Sequence, residues 1–158
     1  MEERQEDLCR YELAYAAAIA RLAQQDGTLG NLRNRATGLL TVAALVASFS
    51  SAIGLVSEKK PIHEGFGWEL MLALVAIGVC AMAVLWPCSK WKFGPSPGGI
   101  LKQDGDEKKI REAVTNSLVR AIGSNESQIT RRALWYRWGA ALLLLEAILV
   151  VAATLVEK

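Results

Sequence analysis

The group best placed to do chemistry in this chain is a carboxylate without company. Glu146 is the single charge in the apolar run Trp138–Val156. It lies about eight residues into that run, or ~12 Å at the helical rise. A charged side chain near the centre of a bilayer costs about 3 kcal/mol on insertion scales, so it must face protein or water. Matching depths from the run ends places Thr41, Ala44 and Ser48 of an earlier run alongside it, with Cys80 of another. A hydrogen bond from Thr41 or Ser48 would satisfy it. Three active roles fit: lining a pore, forming a ring in an oligomer, or carrying protons. A neutral, hydrogen-bonded packing residue fits the same pattern.

Little else in the chain has the form of a reactive site. His63 is the one histidine, with Glu64 beside it and no second ligand at a useful spacing, so no metal site is expected. Cys9, Cys80 and Cys88 make no CxxC and are expected as reduced thiols. No nucleophile–base pair, Walker motif or GxGxxG occurs, and Gly94–Gly99 (GPSPGG) is a turn-rich linker with no following GK[ST]. Neither enzyme chemistry nor a cofactor is expected.

The elements that would position Glu146 are apolar runs. Ala36–Ser57, Leu70–Ser89 and Trp138–Val156 are each about long enough to cross a hydrocarbon core as a helix. The second is apolar all round, with no polar stripe to turn toward water, which argues against a soluble helical bundle. The first is rich in Ala, Ser, Thr and Gly and suits a packing helix better than a solitary span. The fold class expected is therefore all-α: an integral membrane protein with three transmembrane helices plus cytosolic amphipathic helices. The divisions are 1–35 (N-terminal helix), 36–57 (first span), 58–67 (external loop), 68–89 (second span), 90–137 (cytosolic loop and helix) and 138–156 (third span). An acidic, polar N-terminus rather than a short basic leader predicts that the first span stays in the mature protein.

Charge sets the orientation. Of the 18 Lys and Arg, five precede the first run, two (Lys59, Lys60) separate the first pair, ten lie between the second and third, and Lys158 follows. The positive-inside rule places the N-terminus and 90–137 in the cytoplasm, with 58–67 and the C-terminus outside. Trp68, Trp86, Trp91, Trp135 and Trp138 all fall near expected span ends, where indoles prefer to lie.

The flanking segments carry amphipathic patterns. Leu8, Tyr15, Leu22 and Leu29 recur every seven residues, with Tyr11, Ala18, Gln25 and Leu32 three later. This seam suits packing within one subunit or a coiled coil between subunits. Asp26-Gly27 predicts a break after Gln24. Residues 94–105 are expected as a loop without regular helix. Asp106 and Glu107 then open a helix with Ile110, Val114, Leu118, Ala121, Ile122 and Ile129 on one side, and Gly123-Ser124-Asn125 marks a kink or restart. Unbroken from Asp106 to Val156, that helix would extend about 75 Å. The two cytosolic helices are expected to bury their stripes against each other. Their basic face is interleaved with acids and lacks stacking aromatics, so it suits solvent or anionic headgroups, not nucleic acid.

Small residues recur every four in the first run: Ala43, Ala47 and Ser51, then Ala44, Ser48 and Ala52, then Ser50 and Gly54. Such strips let helices approach closely and predict homo-oligomerisation, with packing inside one subunit as the competing use.

These features together resemble the small bacterial membrane effectors of the Pycsar-effector type and, more distantly, the SLATT domains. The matching stretches are LRNRATGLL (Leu32–Leu40) entering the first span, LWP (Leu85–Pro87) ending the second, the basic-aromatic KWKFGP (Lys90–Pro95), and RRALWYRWGAALLLLE (Arg131–Glu146) opening the third. The resemblance implies an antiphage effector of the bacterial inner membrane that oligomerises or opens on a cue and breaches that membrane. Effectors of that type often attach a nucleotide-sensing domain, for which 158 residues leave no room. The cue is then expected to arrive through a separate cytosolic sensor protein or through the cytosolic helices. The competing expectation is a non-conducting anchor or scaffold that recruits a cytosolic partner.

Overall fold

The structure is a computed structural model. It describes the backbone of residues 2–56, 64–87 and 90–156 and the side chains of 9–51, 67–87 and 90–152. His63, Lys59, Lys60 and Cys88 lie outside the described residues. Four helices follow in order: α1 (Glu2–Val56), α2 (Glu64–Leu85), α3 (Pro97–Leu101) and α4 (Glu107–Val156), with no strand among the described residues. The chain divides into two compact units. The first comprises Met1–Gly30 and Cys88–Thr130, the second Asn31–Pro87 and Arg131–Lys158.

In the first unit α1 and α4 lie side by side and parallel. Ala18 packs with Val114 and Leu118. Further along, the Gln25 Nε2 donates to the Ile122 carbonyl at 3.0 Å. The middle of the heptad seam on α1, Ala18, Leu22 and Gln25, thus packs on α4 of the same subunit, while Tyr15 of the same seam is exposed and the Leu8 side chain lies outside the described residues. The break expected at Asp26-Gly27 is not present. A helical glycine costs only about 1 kcal/mol relative to alanine, and Gln25 and Leu29 on either side are both buried at 4% exposure. Gly123 is carried through α4 in the same way, between buried Ala121 and Asn125.

One correction concerns the segment before α4. Residues 94–105 are not all loop, because Pro97–Leu101 forms one helical turn. Ser96 caps it by accepting from the Gly99 N–H at 3.1 Å, and Pro97 sits where its missing N–H is not needed. Gly94 then brings the chain against α4 with φ +97°. A Cβ there would lie 2.7 Å from Leu118 Cδ2, so both backbone and space call for glycine.

Asn125 holds this segment in place. It is fully buried. Its Oδ1 accepts from the Lys92 N–H at 3.0 Å, and its Nδ2 donates to the Lys92 carbonyl at 2.8 Å. One side-chain amide therefore serves both backbone groups of one residue. Asn125→Leu is expected to leave both unpaired and to destabilise the segment by about 2 kcal/mol or more. Tryptic cleavage after Lys92 in the folded protein should rise correspondingly. An unchanged cleavage rate would mean that other contacts hold the loop.

The second unit is a three-helix bundle. Inner stripes run along α1 (Ala36, Leu39, Ala43), α2 (Ile77, Cys80, Ala81, Val84) and α4 (Arg132, Gly139, Glu146). Gly139 lies against Leu39 and Cys80, while Arg132 reaches the Val84 carbonyl. Along α4 the facing α2 numbers fall, so α2 is antiparallel to it. The outward side chains are largely apolar: Leu45, Phe49, Leu72, Val79, Leu144 and Ile148 are each more than half exposed. Two helices contain stretches long and apolar enough to cross a membrane, Gly67–Leu85 in α2 and one within Glu107–Ala152 in α4, with only 22% and 11% of those stretches buried. The expected first span, 36–57, ends among side chains outside the described residues.

Candidate functional site

Close approach of backbones sets the geometry of the second unit. A Cβ on Gly139 would lie 3.0 Å from Leu39 Cδ2 and 3.1 Å from Cys80 Cβ. Three helices meet there because the α4 position has no side chain, with small residues supplied by Ala43 on α1 and Ala81 on α2. This contact fixes the register. Seven residues further along α4, about 10 Å at the helical rise, Glu146 comes level with Val46 of α1 and Ala73 of α2, both half-buried.

Glu146 is 2% exposed, and its Oε2 has no hydrogen-bond partner among the described residues. The core cluster that ends beneath it is aliphatic, with Leu74, Leu142 and Leu143 at its edge. A buried polar atom without a partner costs roughly 1–3 kcal/mol, and more if charged. Among the described residues of the second unit, Glu146 Oε2 lies far inside an apolar stretch, whereas the other buried polar atom without a partner, Arg33 Nε, precedes the apolar run.

Thr41 and Ser48 do not accompany it. Both are exposed, and their hydroxyls donate back into α1, to the Thr37 carbonyl at 3.2 Å and the Ala44 carbonyl at 2.8 Å. Depth alone pairs them with Glu146, and depth ignores rotation. Thr41 stands two residues, about 200° of helical turn, from the inward Leu39. Cys80 is likewise level with Gly139 rather than Glu146. Ser50 is the hydroxyl nearest the inner face; it is half-buried and donates to the Val46 carbonyl at 2.8 Å.

The small-residue strips of α1 divide between two uses. Ala43, 2% exposed, is consumed inside the bundle, and Ala47 is half-buried at its edge. Ala44 and Ser51 face outward, Ser51 donating to the Ala47 carbonyl at 3.0 Å. Ala52 and Gly54 lie outside the described side chains.

Arg132 is a buried tie between α4 and α2 that the sequence presents only as one basic residue among ten. It is buried at 6% exposure. One guanidinium nitrogen donates to the Val84 carbonyl at 2.7 Å and the other to the Trp86 carbonyl. These carbonyls belong to the end of α2, where helical acceptors lose their partners and the helix dipole is negative. A findable signal exists: Arg132, Gly139 and Glu146 are spaced by sevens on one stripe.

In the first unit a half-open apolar groove of about 380 Å³ is lined by Tyr15, Ile19, Leu22, Trp91 and Leu118 among others. Trp91 is half-buried there, so its role is packing within this unit. Among the described residues, no cluster of three His, Cys, Asp or Glu could hold a metal ion. Comparison with protein-family models, curated proteins and solved structures finds no match to the chain.

Proposed function

We propose that this chain is an oligomeric three-span protein of the bacterial inner membrane that permeabilises or depolarises that membrane, acting as an antiphage effector. The N-terminus lies in the cytoplasm and the C-terminus in the periplasm. The observation that supports this reading best is buried Glu146, whose Oε2 has no hydrogen-bond partner among the described residues, inside a bundle whose described outer surface is largely apolar. Such a surface is a liability in water and suits lipid. An intramembrane carboxyl retained without a partner is by default a functional group. In a single subunit Glu146 points into its own bundle, so a ring of these residues around an oligomer axis requires α4 to turn. The outward Ala44 and Ser51 remain free for helix contacts between subunits.

Induced expression in bacteria tests the proposal. Membrane potential should collapse, as read by a voltage-sensitive dye, and Glu146→Gln should reduce the effect. The second reading is a non-conducting anchor that recruits a cytosolic partner. It draws on the groove of the first unit and on Phe93, 78% exposed beside it. An unchanged membrane potential under every inducing condition would favour the anchor.

A further inference from the structure

We propose that the species Glu146 binds is a proton, so that the current through the second unit is carried by H⁺ rather than by a metal cation. This rests on the permeabilisation reading and names its ion. The argument is one of ligand supply. A metal cation stripped of water needs a shell of roughly six oxygens. Around Glu146 the described inner faces offer one other side-chain oxygen, that of Ser50, already committed to the Val46 carbonyl. Thr41 and Ser48 face away, and the carbonyls at this level lie inside continuous helices, whose bonds occupy them. A proton needs a single oxygen, and Oε2 is free of any partner among the described residues.

The charges facing the site agree. From Ala36 to Ser51 α1 carries no titratable group. Along Gly67–Leu85 α2 offers exposed Glu69 and buried Cys80, neither of them a cation. On α4 the nearest cation on the same stripe is Arg132, fourteen residues or about 21 Å away and engaged with α2. Arg131 and Arg137 are exposed on other faces of α4, and Tyr136 is half-buried about 15 Å from Glu146 along the axis. Arg33 and Arg35 precede the inner stripe of α1. Among the described residues a carboxylate at Glu146 therefore has no compensating charge within reach, and taking up one proton removes the charge altogether.

The test uses the purified full chain in vesicles of bacterial phospholipid. A hydrophobic carbodiimide reacts with a neutral buried carboxyl, so peptide mass spectrometry should find its adduct at Glu146. A pH-sensitive dye inside the vesicles should report H⁺ flux exceeding K⁺ flux. Glu146→Gln should abolish the adduct and lower H⁺ flux roughly tenfold or more. Glu146→Asp, which keeps an acid, should retain part of the flux. Both variants should elute from size exclusion in detergent as the wild type does. An adduct at Glu146 without flux of any ion would sink permeabilisation while supporting the proton site. Equal K⁺ and H⁺ fluxes unaffected by Glu146→Gln, or no adduct at Glu146, would overturn the proton site itself.

Discussion

Gly139→Leu is expected to destabilise the second unit by about 3 kcal/mol or more, the upper range for overpacking a close helix contact. The reason is the identity of the neighbours. A first carbon at this position already stands 3.0 Å from Leu39 Cδ2 and 3.1 Å from Cys80 Cβ. The leucine methyl of Leu39 can rotate aside, but the Cβ of Cys80 moves only with α2. Leucine adds three more carbons, so the helices must separate. Cys80, 5% exposed, makes a built-in reporter. In a Cys9→Ser, Cys88→Ser background, Cys80 should react slowly with a maleimide in detergent, and Gly139→Leu should speed this by roughly a hundredfold through local opening. Gly139→Ala should fall between. A leucine variant with wild-type protection of Cys80 would show that the three helices do not meet at this glycine.

The second large effect is expected at Arg132. Replacement by alanine removes a buried guanidinium and leaves the Val84 and Trp86 carbonyls without their donors. Charged hydrogen bonds contribute about 1.5–3 kcal/mol each, so a loss of ~3 kcal/mol is expected. Thermal unfolding in detergent, followed by circular dichroism, should show a clear drop in midpoint. Arg132→Lys separates charge from shape. An ammonium is a point donor on a flexible stem and cannot bridge both carbonyls as a planar fork does. Partial rescue is the expected result, and full stability in the lysine variant would reduce the role of Arg132 to charge alone.

The helices are legible in the sequence because their signals are local. Asp106 and Glu107 mark the start of α4, where the Asp106 Oδ1 accepts from the Glu107 N–H at 2.9 Å. The stripe Val114, Leu118, Ile122 marks the face that meets α1. Rotation about the helix axis is less legible. Thr41 and Ser48 match Glu146 in depth yet point elsewhere, because azimuth is set by the inner stripe as a whole. The glycines at 27 and 123 read as breaks on propensity alone, but tertiary burial of Gln25 and Asn125 overrides a cost of about 1 kcal/mol. Asn125 itself is hidden for a different reason. A turn-forming residue beside Gly123-Ser124 looks like a stop, and only its partner at Lys92, 33 positions away, reveals it as a clamp. Gly139 and Arg132 are concealed by their surroundings, one in a greasy run and the other in a basic cluster.

The Arg132 contact bears on how the protein is made. The Trp86 carbonyl receives its donor from 46 positions downstream. While the ribosome is still producing that intervening stretch, the acceptors at the close of α2 lack the guanidinium that serves them in the folded chain. Hydrocarbon cannot serve them either. In the proposed bilayer setting these carbonyls are served by water at the headgroup surface, and their pairing within the protein is postponed until translation has delivered Arg132.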